Sequence, residues 1–170
     1  MKKTLTVIIS ILVLCFVVAL AIAFWPTSSP KLTADKTKLS DPEFIEKGRY
    51  LAVLGDCVAC HTSNNNVLFA GGNAIASPIG EMFPPNITPD KKNGIGNYSL
   101  DDFDRAVRFG IRQDGVTLYP AMPYPSYARM SDEDITALYA YFMNGVKPEA
   151  VANKENTISW PLSIRWPVAI

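Results

Sequence analysis

Three cysteines and a single histidine are few, yet two of the cysteines and the histidine fall within five residues, Cys57-Val58-Ala59-Cys60-His61. In a C-x-x-C-H run the two thiols stand one helical turn apart. At that spacing both can add to the vinyl groups of one porphyrin as thioethers, and the next residue offers its imidazole to the iron. From this composition the pattern would arise by chance in roughly three of ten thousand chains. A tetrahedral zinc site competes, but with no other histidine and only Cys15 left, a carboxylate would have to complete it. A thioredoxin-like redox pair also competes, and it needs a βαβ context that the flanking sequence lacks. The expected cofactor is therefore one covalently attached haem c, with Cys57 and Cys60 as attachment points and His61 as an axial iron ligand.

The lone histidine rules out bis-histidine ligation within the chain. The sixth position falls to methionine, to a weaker donor such as Lys or Tyr, or to an exchangeable ligand. Outside the apolar N-terminus the methionines are Met82, Met122, Met130 and Met143. Met143 lies in an expected helix and Met130 just before its cap, positions that favour packing. Met122 stands in Tyr119-Pro120-Ala121-Met122-Pro123-Tyr124-Pro125, where three prolines restrict φ and tyrosines offer apolar walls. Met122 is the preferred second axial ligand and Met82 the alternative. A methionine ligand closes the coordination sphere and raises the potential, which favours electron transfer over catalysis.

Three elements must hold these residues. Ser40-Asp41-Pro42-Glu43 starts a helix running to about Leu54; Ser99-Leu100-Asp101-Asp102 starts a second that stops at Gly110; Ser131-Asp132-Glu133-Asp134 starts a third ended by Asn144-Gly145. Residues 62–98 and 111–130 are dense in Gly, Pro and Asn without sustained alternation, so no sheet is expected, and loops this long call for a non-protein core. Gly48 could let the first helix cross the last one closely. Ahead of them, Lys2 and Lys3 precede an uncharged run over 4–25, long enough to cross a bilayer of about 30 Å. It reads as a transmembrane anchor with Trp25 at the far interface and Pro26 closing the helix. The competing reading is a signal peptide cleaved after Ala21-Ile22-Ala23, which would leave a soluble periplasmic protein. Either way the basic N-terminus stays cytoplasmic and the remainder is exported. The expected organisation is an anchor or signal over 1–25, a solvated tether over 26–40, a haem domain over 41–147 and a tail or linker over 148–170.

Several of these stretches together resemble the cytochrome c subunits of membrane-bound bacterial alcohol, gluconate and sorbitol dehydrogenase complexes. They are 57–61, Asn86-Ile87-Thr88-Pro89-Asp90, Gly94-Ile95-Gly96, Leu118-Tyr119-Pro120-Ala121-Met122-Pro123-Tyr124 and 132–141. The resemblance covers about residues 40–170. It implies an all-α, class-I-like cytochrome c domain with long loops around haem, preceded by one transmembrane helix, with His61 and Met122 as axial ligands. It further implies a domain on the periplasmic side of the bacterial inner membrane. There it would pass electrons from a dehydrogenase catalytic subunit toward quinone or a terminal oxidase, with no chemistry of its own. Members of that family carry three haem units in one longer chain. This chain has one C-x-x-C-H and stops near Ser163-Ile164-Arg165-Trp166-Pro167, so it corresponds to the first haem domain or to a one-haem relative.

Two rival functions stand beside this reading. One is a haem enzyme or gas-sensing cytochrome with an exchangeable sixth ligand, and the other an assembly protein that shuttles thiols. The balance of 16 basic and 16 acidic residues disfavours a nucleic-acid partner held by charge. Arg108, Arg112, Tyr119 and Tyr127 are candidate contacts for haem propionates. Asn86 and Thr88 are expected to order their loop.

Overall fold

The computed structural model describes residues 2–23, 31–63 and 66–163. Helix α1 covers Lys2–Ala23. Its stretch Lys3–Ile22 is long and apolar enough to cross a membrane, and none of that stretch is buried against protein. Trp25 and Pro26 lie outside the described residues.

Residues 31–40, expected as part of a solvated tether, lie against the domain. A 3₁₀ turn at Lys36–Ser40 is capped by Asp35, whose carboxylate accepts from the Thr37 backbone N–H at 3.0 Å. Leu32 and Leu39 pack on the core, Asn144 Nδ2 donates to the Leu39 carbonyl at 2.9 Å, and the Thr33 N–H donates to Asp132 Oδ2 at 2.9 Å. Partial burial of two leucines, with one carbonyl and one amide hydrogen-bonded, outweighs the polar composition that suggested a free chain.

Helix α2 spans Pro42–Leu54. Its cap is Asp41, one residue later than the expected Ser40, which instead closes the 3₁₀ turn; Asp41 accepts from the Glu43 N–H at 3.0 Å and Pro42 fills the first turn. Helix α4, Leu100–Phe109, opens on a reciprocal capping box between Ser99 and Asp102 and stops at Gly110 in the left-handed conformation. Helix α6, Asp132–Ala140, is capped by Ser131 and continues as one π-helical turn, Tyr141–Gly145. Helices α2 and α6 cross at Gly48, where an added Cβ would lie 1.9 Å from the Ala137 carbonyl oxygen and 2.7 Å from Tyr141 Cβ. Only glycine fits there, so the close crossing expected from Gly48 is present. Lys47 bridges the same pair, reaching Glu133 and Asp134 at 3.0 and 2.8 Å. The core beneath joins Phe103, Ile135, Leu138 and Phe142 to Phe69, whose ring meets Phe142 edge-on at 5.1 Å.

The fold is mostly helical, with two departures from the helix-and-loop expectation. An antiparallel hairpin pairs β1, Ile75–Ser77, with β2, Gly80–Met82, inside a stretch where no sheet was expected. Three-residue strands are too short for alternation to register in sequence. Residues 148–158 then run beside this hairpin and the following loop. Glu81 and Thr157 exchange two hydrogen bonds at 2.9 and 3.0 Å, and Ile158 is buried.

Gly48→Ala should destabilise the haem-loaded protein by about 3 kcal/mol through overpacking at a backbone carbonyl, read from denaturant unfolding. The docked segment should respond to acid. The Thr33 N–H, aided by the Arg108 guanidinium, holds the Asp132 carboxyl below its ordinary value. A lowered folded pKa gives a contribution present above the unfolded value of about 4 and lost as pH falls through the folded value. Amide exchange at Thr33, corrected for its intrinsic rate, should therefore be protected at pH 6 and lose protection below about pH 4. Asp132→Ala should remove that protection at both pH values.

Candidate functional site

The C-x-x-C-H residues form their own short helix, α3, Cys57–His61. Asp56 enters it in the left-handed conformation, φ 51°, so the chain turns sharply between the end of α2 and Cys57. Both thiols are free, three residues apart on this turn, and Cys57 packs against the core. Burial pushes the Cys57 thiol up to about 11, so it stays uncharged at neutral pH.

His61 is more tightly specified. Its Nδ1 lies 2.7 Å from the Pro85 carbonyl oxygen. A carbonyl only accepts, so Nδ1 carries the proton, and the lone pair remains on Nε2. Burial lowers the imidazole pKa, opposed by the Pro85 bond. The ring is thus held neutral, the form that ligates a metal.

The Pro85 carbonyl is itself held from several sides. The Gly71 N–H donates to the His61 carbonyl at 2.7 Å and the Gly72 N–H to Pro84 at 2.9 Å, which stitches the loop to both ends of the His61 contact. Gly71 sits at φ +75°, and an added Cβ would be 2.5 Å from the Pro84 oxygen, so this approach requires glycine. One residue beyond Pro85, the Asn86 N–H donates to Asn153 Oδ1 at 2.6 Å. The buried Asn86 side chain donates to the Glu149 and Val151 carbonyls at 2.8 and 3.0 Å and accepts from the Thr88 N–H and hydroxyl at 2.9 and 2.7 Å. Asn86 and Thr88 thus order the loop, as expected. Residues 149–153, in which the sequence showed no chemistry, hold the segment that holds His61.

Met122 is half-buried and packs on the same core as Cys57, as do Met130 and Met143. Met82 is on β2, opposite Ile75. The candidate propionate contacts are differently engaged. Arg108 forms ion pairs with buried Asp104 and, at 2.9 Å, with Asp132, and it donates to the Met130 carbonyl at 3.2 Å. Arg112 pairs with Asp114. The Tyr127 hydroxyl donates to the Gly55 carbonyl at 2.7 Å, and Tyr119 is half-buried. Sequence reasoning missed Pro85, Asn153 and Glu149. Asn86 was visible in its Asx-rich loop, whereas Pro85 acts through a carbonyl that every residue type possesses.

These residues fit a covalently held haem: two free thiols at thioether spacing, beside an imidazole whose outer nitrogen is already committed to backbone. Among the described residues no three or more His, Cys, Asp or Glu side chains gather to hold a metal ion, so the zinc reading lacks a ligand set. Comparison with known proteins agrees. Residues 45–145 match the family model described as cytochrome c. The chain is 62% identical over 126 residues to the gluconate 2-dehydrogenase cytochrome c subunit of Pantoea cypripedii, covering 74% of this chain and 29% of that one. It is 57% identical over 131 residues to the alcohol dehydrogenase (quinone) cytochrome c subunit of Gluconobacter oxydans, covering 77% and 27%. To the fructose dehydrogenase cytochrome subunit of Gluconobacter japonicus it is 50% identical over 127 residues, covering 74% and 26%. The chain thus matches less than a third of the length of these curated relatives.

Replacing Cys57 and Cys60 together by Ala should leave no haem staining on a denaturing gel, while either single replacement weakens it. Staining of normal intensity in the double variant would place the attachment elsewhere.

Proposed function

The chain belongs to the cytochrome c family, and from that premise we propose that it is a one-haem electron-transfer domain serving a membrane dehydrogenase. When bound, the haem supplies a reversible one-electron couple at iron. Cys57 and Cys60 would hold the group covalently, and His61 would ligate the iron through Nε2. Met122 would supply the other protein ligand to the iron, its thioether favouring the reduced metal. The observation that carries this reading is the Nδ1 bond from His61 to Pro85, because it leaves the Nε2 lone pair free for the iron beside two free thiols.

These relatives are cytochrome subunits of gluconate, alcohol and fructose dehydrogenases, which supports a dehydrogenase catalytic subunit as the donor. The proposed acceptor is a quinone or a terminal oxidase. Helix α1 would keep the domain at the outer face of the inner membrane, raising its effective concentration near membrane-bound partners.

The protein extracted in detergent from its own membranes should co-purify with a dehydrogenase subunit, and substrate of that subunit should reduce the haem. Copurification without substrate-driven reduction would contradict the electron-transfer role. Met122→Ala should retain covalent haem, lose the weak far-red charge-transfer absorption of the ferric form, and lower the potential. If Met82→Ala removed that absorption and Met122→Ala did not, the ligand would be Met82.

A further inference from the structure

The segment that carries Met122 is built from short-range turns. The Met122 N–H donates to Tyr119 at 3.2 Å, the Tyr124 N–H to Met122 at 2.9 Å, and the Ala128 N–H to Tyr124 at 2.9 Å. Pro123 and Pro125 have their own φ fixed by their rings, and Tyr124–Tyr127 form one helical turn, α5. Little slack therefore separates Tyr127 from Met122. These turns shape the segment but do not decide where it stands relative to the C-x-x-C-H helix.

That decision falls to contacts leaving the segment. The Tyr124 ring packs against Gly110, and Arg108 holds the Met130 carbonyl; both tie the segment to α4. Tyr127 alone of these three reaches the other side. Its hydroxyl donates to the Gly55 carbonyl at 2.7 Å, across 72 residues of sequence and two positions before Cys57. A Cβ placed on Gly55 would meet Cys57 Sγ and Tyr127 Cε1 at 3.6 Å each, so the ring and the sulfur flank the same piece of backbone.

We propose that Tyr127 is a positioning residue that sets the distance between the Met122 segment and the Cys57–His61 helix, through its hydroxyl bond to Gly55. The proposal rests on the reading of Met122 as the second axial ligand. Tyr127 acts through backbone and not on the iron, so its loss should loosen ligation while leaving attachment and fold in place. A tyrosine that only filled space would act through its ring, which phenylalanine keeps.

The test compares the haem-loaded full chain with its Tyr127→Phe and Met122→Ala variants. Three quantities are followed: the temperature at which the far-red absorption disappears, the temperature of global unfolding by circular dichroism, and the affinity of the reduced form for carbon monoxide. In Tyr127→Phe the absorption should vanish at a lower temperature than in the parent with little change in global unfolding. Carbon monoxide affinity should rise about fivefold, the equivalent of one lost neutral hydrogen bond. Met122→Ala should lack the absorption at every temperature. Parent-like values for the absorption and for carbon monoxide in Tyr127→Phe, with Met122→Ala lacking the absorption, would overturn the positioning role and leave the ligand assignment standing. Equal lowering of both transition temperatures in Tyr127→Phe would make the hydroxyl merely structural and overturn it too. Retention of the absorption in Met122→Ala would remove the ligand assignment and this proposal together.

Discussion

The hydrogen bond between the His61 imidazole and the Pro85 carbonyl is the constraint on which the site depends. It fixes the tautomer, with the proton on Nδ1 and the remaining lone pair on Nε2, while burial keeps the ring neutral. Nothing within the five-residue C-x-x-C-H run can do this, because the acceptor lies 24 residues away. Much of the irregular part of the molecule is organised to keep that acceptor in place. Gly71 lets one strand of loop press against the Pro84 oxygen, Asn86 gathers its own loop through Thr88, and residues 149–153 close over Asn86 from outside.

The regular part performs a complementary task. Helices α2 and α6 cross at Gly48 with backbone in contact, so the end of α2 that leads into α3 has a fixed origin. Arg108 joins Asp104 on α4 to Asp132 at the start of α6, and Asp132 also accepts from Thr33 in the docked N-terminal segment. A charge buried this deeply is tolerated because two carboxylates and a carbonyl satisfy it. The same guanidinium therefore braces the helical frame, the docked segment and the end of the Met122 loop. Its observed partners are two carboxylates and a carbonyl within the protein, where the sequence had offered haem propionates.

What was legible in the sequence was local and periodic. Ser99 and Ser131 announced their helices because side-chain caps act within three residues, and Gly48 could be read as a crossing point because small residues at helix interfaces have one common cause. Cys57, Cys60 and His61 declared a cofactor through spacing alone. What was not legible depends on groups without a residue signature or on partners far along the chain. Pro85 contributes a carbonyl. Asn153 and Glu149 matter only because the chain returns beside Asn86, more than 60 residues earlier. Residues 31–40 are polar on average, and two leucines outweigh that average by finding the core.

The chain contains a single histidine, so its imidazole can be observed without ambiguity. The most direct test of the central claim is nitrogen NMR of the reduced, haem-loaded protein labelled with ¹⁵N at histidine. The expected spectrum has one ring N–H, at Nδ1, that exchanges slowly with solvent, and an Nε2 that stays unprotonated as the pH is lowered through 6. A proton on Nε2, or a titration to imidazolium near the ordinary histidine value of about 6.5 with haem still attached, would contradict it.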